Sequence, residues 1–143
     1  ALDFNIFPGL QGGPMNHSIA GIGVALHEAS LPEFKVYAAQ VIKNAQVLAA
    51  ELLQAGFDVV TGGTDKHLVL VDLRSRGWTG KDAALALEQV GIIANKNTVP
   101  GETAKPWNPS GLRLGTPALT TRGMKEKDMI KISQQITDVL HWQ

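Results

Sequence analysis

Phe34, Tyr37, Val41, Ala45, Leu48 and Leu52 recur at steps of three and four, which sets six apolar side chains on one stripe of a single long helix. A stripe of that length demands a partner surface, so whatever follows must supply a sheet or more helices to cover it. Gly56 stands where the helix can end on a left-handed C′ residue. At the other end, Ser30 with Glu33 three positions on has the form of a capping box, and Pro32 disfavours helical geometry at Leu31. The pattern therefore predicts two helices in succession, an earlier one from His17 to His27 carrying Ile19, Ile22 and Leu26, and the long one after Ser30.

Beyond Gly56 the period changes. Phe57 to Thr61 predicts a strand, Gly62-Gly63-Thr64-Asp65 a turn, and His67-Leu68-Val69-Leu70-Val71-Asp72-Leu73 a largely buried strand. Thr79 followed by Asp82 predicts a capped helix with Ala83, Ala84, Leu87 and Val90, stopped by Gly91. Ile92 to Ala94 predicts another strand, Asn95 to Ser110 a long loop, Leu112-Arg113-Leu114 a short strand, and the last segment a helix from about Lys125 with Met129, Ile132, Ile136, Val139 and Leu140 on one face. Strands joined by short turns favour antiparallel pairing, so the fold class expected is α+β, a mostly antiparallel sheet covered by helices and preceded by connecting helices. Residues 5–16 hold three glycines and two prolines, and no regular element is expected there.

Composition narrows function by exclusion. The 143 residues are 44% hydrophobic, enough for one core. Thirteen Lys and Arg balance thirteen Asp and Glu, which removes any sequence-independent pull on nucleic acid or anionic lipid, and no apolar run reaches a membrane span. The absence of cysteine excludes disulfides, thiolate zinc sites and a cysteine nucleophile, and favours a reducing compartment. None of the four histidines pairs at His-x-x-x-His spacing, so no metal site is expected.

Three places could carry chemistry. Gly12 and Gly13 lead into a helix and could offer backbone N–H groups to an anion, or form only a tight turn. Arg113, between two apolar residues on a strand, points away from the core; it could grip a carboxylate through two parallel hydrogen bonds, or make a surface salt bridge. Asn95-Lys96-Asn97-Thr98 opens the long loop, where polar groups converge on ligands, although asparagines also cap loops. His67 reads as a hydrogen-bonded structural residue, and His17 as a group that could orient the glycine loop.

Four segments then occur together in order: Phe7-Pro8-Gly9-Leu10-Gln11-Gly12-Gly13-Pro14; Gly62-Gly63-Thr64-Asp65 with His67 to Leu73; Asn95-Lys96-Asn97-Thr98-Val99-Pro100-Gly101; and Ser110-Gly111-Leu112-Arg113-Leu114-Gly115-Thr116-Pro117 running on to Gly123. They closely resemble the C-terminal part of serine hydroxymethyltransferase. The resemblance implies a connecting helix and the small C-terminal domain of a fold-type I pyridoxal-phosphate enzyme (residues 30–143), preceded by a remnant of its large domain, the Gly/Pro loop plus a helix (residues 1–29). It implies a reaction, serine plus tetrahydrofolate giving glycine plus methylenetetrahydrofolate, with pyridoxal 5'-phosphate as electron sink. On the matching positions, Arg113 would pair with the substrate carboxylate, Gly12 and Gly13 would approach the cofactor phosphate of a partner subunit, Asn97 would contact the folate pterin, and Phe7 would line the partner's folate pocket. A homodimer or homotetramer and a cytoplasmic setting go with it, organelles being the alternative. No lysine here stands in the family's Thr-His-Lys context, so the chain by itself is expected to be inactive. Lys66 and Met15 depart from the usual pattern and bear on the folate pocket alone. The competing expectations are a non-catalytic binding module derived from that family and, more distantly, an aminotransferase.

Overall fold

The computed structural model describes residues 1–141, and the chain divides into two compact units, Ala1–Val36 and Tyr37–Gln143. In the first unit a single turn, α1 (Leu2–Phe4), runs into a wider turn over Asn5–Leu10. That turn is broken at Phe7 (φ −135°, ψ 124°), and the Phe7–Pro8 bond is cis. The expected loop is thus wound, though irregularly. Helix α2 (Asn16–Ser30) follows. Ser30 does not cap the next helix: its hydroxyl donates back to the His27 carbonyl at 2.6 Å. The break comes from Leu31, extended at φ −77°, ψ 149°, ahead of Pro32. Ile19, Ile22 and Leu26 are each at least 58% exposed, so the apolar side of α2 is uncovered within the first unit.

Helix α3 (Pro32–Gln54) carries the long stripe, and Val41, Ala45, Leu48 and Leu52 are buried as the spacing predicts. It ends as expected: Gly56 takes φ +78°, and the amides of Gly56 and Phe57 reach back to the carbonyls of Leu53 and Leu52. The sheet is wholly antiparallel, in the order β1 (Asp58–Val59), β2 (Leu68–Asp72), β4 (Gly111–Gly115), β3 (Asn95–Asn97). Strand β1 is shorter than expected because Thr61 turns the chain at φ +68°. Val69 and Val71 of β2 with Leu112 and Leu114 of β4 bury one face against Leu48 and Leu52 of α3, Leu87 of α4 (Gly80–Glu88), and Met129, Ile136 and Leu140 in or just after α6 (Glu126–Val139). The short α5 (Pro117–Thr121), with proline at its first position, was not expected. Thr79 caps α4 as predicted, accepting from the Asp82 amide at 3.1 Å.

The strand expected at Ile92 to Ala94 lies instead at Asn95–Asn97. The Ile92 amide finishes α4 by donating to Leu87, and Ile92 and Ala94 pack on the core. The ladder is then made by the polar residues after them.

Two glycines set how closely these parts approach. A Cβ on Gly80 would collide with the carbonyl oxygens of Gly111 and Pro109, and one on Gly111 would lie 2.5 Å from Val99 Cγ1. Gly80→Ala is expected to destabilise the chain by about 3 kcal/mol, the cost of overpacking against backbone that cannot swing aside, measured by urea unfolding; a loss under about 0.5 kcal/mol would show the contact to be loose. Exposure of α2 leads to a second expectation. The isolated chain should self-associate in sedimentation, and serine at Ile19, Ile22 and Leu26 together should return it towards monomer. A monomer at every concentration, with the α2 amides protected from exchange, is the contrary outcome.

Candidate functional site

The side of the sheet away from the core is built by register. Direct cross-strand partners share a face, so Leu70 of β2, Arg113 of β4 and Asn95 of β3, paired in one row, all point outwards, as do Asp72, Gly111 and Asn97 in the next row. Arg113 is exposed and forms no hydrogen bond or ion pair with any described residue. Asn97 lies diagonally across from it, a separation of about 7–8 Å between such positions. Its amide donates to the Thr98 carbonyl at 2.8 Å, leaving its carbonyl oxygen free. The sheet thus unites Arg113, Asn95 and Asn97. Leu70 and Leu68 continue this face into an open concavity of about 620 Å³ whose other walls include Val60, Thr61, Thr64 and Asp65. Nothing in the sequence marked Thr61 as a left-handed residue, and a β-branched side chain seldom accepts that conformation.

Asp72 lies in the row next to Arg113, diagonally across from it on the same face, and it is already engaged. Arg74 grips it with Nε at 3.0 Å and Nη2 at 2.6 Å, and this bond, outweighing partial burial, holds the Asp72 carboxyl below its usual range. Arg74 also reaches the carbonyls of Pro100 and Gly101, tying the long loop to β2.

That loop runs from Thr98 to Ser110 and is organised by Glu102, which sequence reasoning passed over. Its Oε1 accepts from the amides of Thr103 (3.1 Å) and Ala104 (2.9 Å) and from the Ser110 hydroxyl (2.9 Å); its Oε2 accepts from the Ser110 amide (2.8 Å). The amide bonds, that from Ser110 foremost, lower its pKa to about 2. A carboxylate with so many donors inside its own loop had no signature in spacing.

The other expected positions lie in the first unit. Phe7 is 66% exposed. At Gly12 and Gly13 a Cβ would meet nothing within 4 Å and neither has positive φ, so nothing in this chain requires glycine there. Met15 provides no side-chain cap to α2, and the first turn holds no acid, so the first N–H groups of the helix have no side-chain acceptor there. His17 makes no hydrogen bond with a described residue. His67 corrects the expectation: its side chain is exposed, and it is the carbonyl that is used, accepting from the Thr116 amide at 3.0 Å and hydroxyl at 3.3 Å. Among the described residues no cluster of three or more His, Asp or Glu could hold a metal, and no helix is long and apolar enough to cross a membrane.

The α+β domain thus keeps the Arg113 guanidinium without a partner among the described residues on an open sheet face, flanked by the Asn95 and Asn97 amides and with the neighbouring Asp72 engaged by Arg74. Comparison narrows the class: a model of the serine hydroxymethyltransferase family matches residues 1–136, and the chain belongs to that family. It is 58% identical over 139 residues to the serine hydroxymethyltransferase of Acidothermus cellulolyticus, an alignment covering 97% of this chain and 33% of that protein. The chain thus spans about a third of the length of the curated relative it matches.

Acid should expose these carboxylates. Glu126, bonded first to Lys43 at 2.5 Å and also to Gln40, is likewise lowered to about 2. Both groups have a folded pKa below the ordinary 4.5, so the folded state binds fewer protons; their contribution is complete above pH 4.5 and is lost as pH falls towards 2. Unfolding free energy measured across that window should fall less steeply in Glu102→Gln and in Glu126→Gln than in the unaltered chain, and identical slopes would remove the assignment.

Proposed function

We propose that this chain is the C-terminal part of a pyridoxal-phosphate-dependent hydroxymethyltransferase that interconverts serine plus tetrahydrofolate and glycine plus methylenetetrahydrofolate. The free guanidinium of Arg113 carries the reading. It is the group that pairs with the amino-acid carboxylate, and a planar fork of donors suits a carboxylate better than a point charge does. Asn97, with an unused carbonyl on the same face, meets the pterin, which presents N–H donors. Phe7, an exposed aromatic ring, lines the folate pocket of a second subunit.

Gly12 and Gly13 approach the cofactor phosphate of that second subunit. Two observations support this: glycine is not required there by any contact within the chain, and the N-terminus of α2 lacks both cap and acid. The residues present therefore fit a phosphate group. When bound, the cofactor supplies the electron sink for bond breaking at the amino-acid Cα; this chain contributes orientation and charge. The lysine that would hold the cofactor covalently has no counterpart among the family motifs found here, so the isolated chain is inactive and works only within the longer polypeptide, as a homodimer or homotetramer. A cytoplasmic setting completes the reading, supported by the cysteine-free composition.

The test uses the full-length protein. Arg113→Ala should raise the KM for serine about 10- to 100-fold, the loss of a charge-assisted hydrogen-bonded pair, while Arg113→Lys should recover only part because an ammonium cannot donate as a fork. An unchanged serine KM in both variants would refute the carboxylate assignment.

A further inference from the structure

The segment between the two proposed binding residues is a hairpin connection: it leaves β3 at Asn97 and returns to β4 at Gly111, the residue paired with Asn97. Connections of this length are ordinarily mobile, because ordering them costs chain entropy for few contacts. This one is closed at its base. Glu102 joins the outgoing limb to the returning one, since Oε1 holds the Thr103 and Ala104 amides while Oε2 holds the Ser110 amide, immediately before Gly111. From the opposite side Arg74, anchored on Asp72, holds the Pro100 and Gly101 carbonyls. Asp72 is itself the β2 partner of Gly111. Two clasps thus converge on the Asn97–Gly111 pair.

We infer that Glu102 is a positioning residue for the folate side of the site: by closing the Thr98–Ser110 loop it fixes Asn97 without itself touching substrate. This rests on the reading of Asn97 given above. The effect is directional because the two binding residues are supported differently. Asn97 ends a three-residue edge strand, held by β4 alone on one side and by the loop beyond it. Arg113 is in the middle of β4, laddered to β2 and β3, and the strand's far end is fixed by the buried Thr116 hydroxyl bonding to Val41 O at 2.8 Å. Loosening the loop therefore displaces Asn97 first and Arg113 little. Glu102 stays ionised throughout the neutral range, so the clasp is permanent and not a pH switch.

Glu102→Gln is the informative change, since it preserves shape but turns an N–H donor towards the Ser110 amide, which then faces a donor where it had an acceptor. In the full-length protein with its cofactor bound, we expect the tetrahydrofolate KM to rise about tenfold, a fraction of the ~100-fold that a 1 Å misplacement can cost. The serine KM should stay within about twofold, and the amides of Thr103, Ala104 and Ser110 should exchange faster. Ser110→Ala, which removes only the hydroxyl bond, should shift the tetrahydrofolate KM the same way by a smaller factor, and it carries the test if Glu102→Gln does not fold. Faster exchange with an unchanged tetrahydrofolate KM, or serine and tetrahydrofolate KM rising together, overturns the inference. Asn97→Ala separates the two claims: if it leaves the tetrahydrofolate KM unchanged, the reading of Asn97 has failed, whatever Glu102 does.

Discussion

The approach of the α4 N-terminus to the Gly111 carbonyl, possible only because Gly80 lacks a side chain, determines where β4 lies, and the bare Gly111 in turn lets Val99 and the Asn97 carbonyl close in on β4. The Gly80 amide closes the contact by donating to Pro109 at 2.7 Å, and the Leu73 amide, just past β2, donates to Ser110 at 3.0 Å. With β4 seated there, β2 and β3 can ladder on either side of it, and Val69, Val71, Leu112 and Leu114 fall on the core face together. One register error would reverse that choice and send Arg113 inwards.

A second fixed point lies among the helices. Asn44 is fully buried on α3, and its side chain is satisfied from three directions: it accepts from Gln40 and donates to the Thr120 hydroxyl and the Met124 carbonyl. Gln40 passes the connection to Glu126 at the start of α6. An apolar residue at 44 would fill the volume but would leave the Met124 carbonyl without this donor, and the helices could then slide over one another as apolar surfaces do. The network specifies one arrangement of α3, α5 and α6, and α5 begins two residues after β4. Buried Arg76 does similar work at the other end of α3, bonding the Ala55 and Leu140 carbonyls and stacking 3.7 Å from the Phe57 ring. Cations suit helix C-termini, and burial lowers the Arg76 pKa, a shift that the charge of Asp58 opposes without reversing.

What could be read in the residues follows from how local each signal is. The Gly56 stop and the Thr79 cap are contained within a few positions and formed as read, and so did the α3 stripe from Val41 to Leu52, whereas Phe34 at its start is exposed. The alternation around Arg113 correctly turned it outwards. Strand β3 was misplaced by three residues because its partners are non-local: Asn95, Lys96 and Asn97 have poor strand preferences, yet they sit opposite β4, while the apolar Ile92 is taken up in ending α4. Asn95 and Asn97 point to the open face of the sheet, while Lys96, on the other face, donates to the Trp107 carbonyl. Ser30 failed as a cap for a related reason, since its hydroxyl found the His27 carbonyl behind it before any amide ahead. Glu102 was invisible because its partners are defined only once the loop has closed.

The arginines of the sheet region divide between those that hold the fold and one that stays unengaged by the described residues. Arg74 and Arg76 direct their donors to their own chain, to Asp72 and to backbone carbonyls. Arg113 has an acid within diagonal reach on its own face, and an exposed Asp–Arg pair would cost little to form. It does not form because Arg74 takes both oxygens of Asp72 in a forked grip, two residues away along the chain, at far smaller entropic cost than a cross-strand pair would carry. Asp72 therefore anchors the loop through Arg74 and at the same time leaves the Arg113 guanidinium without a partner among the described residues. Had Arg74 been absent, the same aspartate would have been free to pair with Arg113 across the sheet.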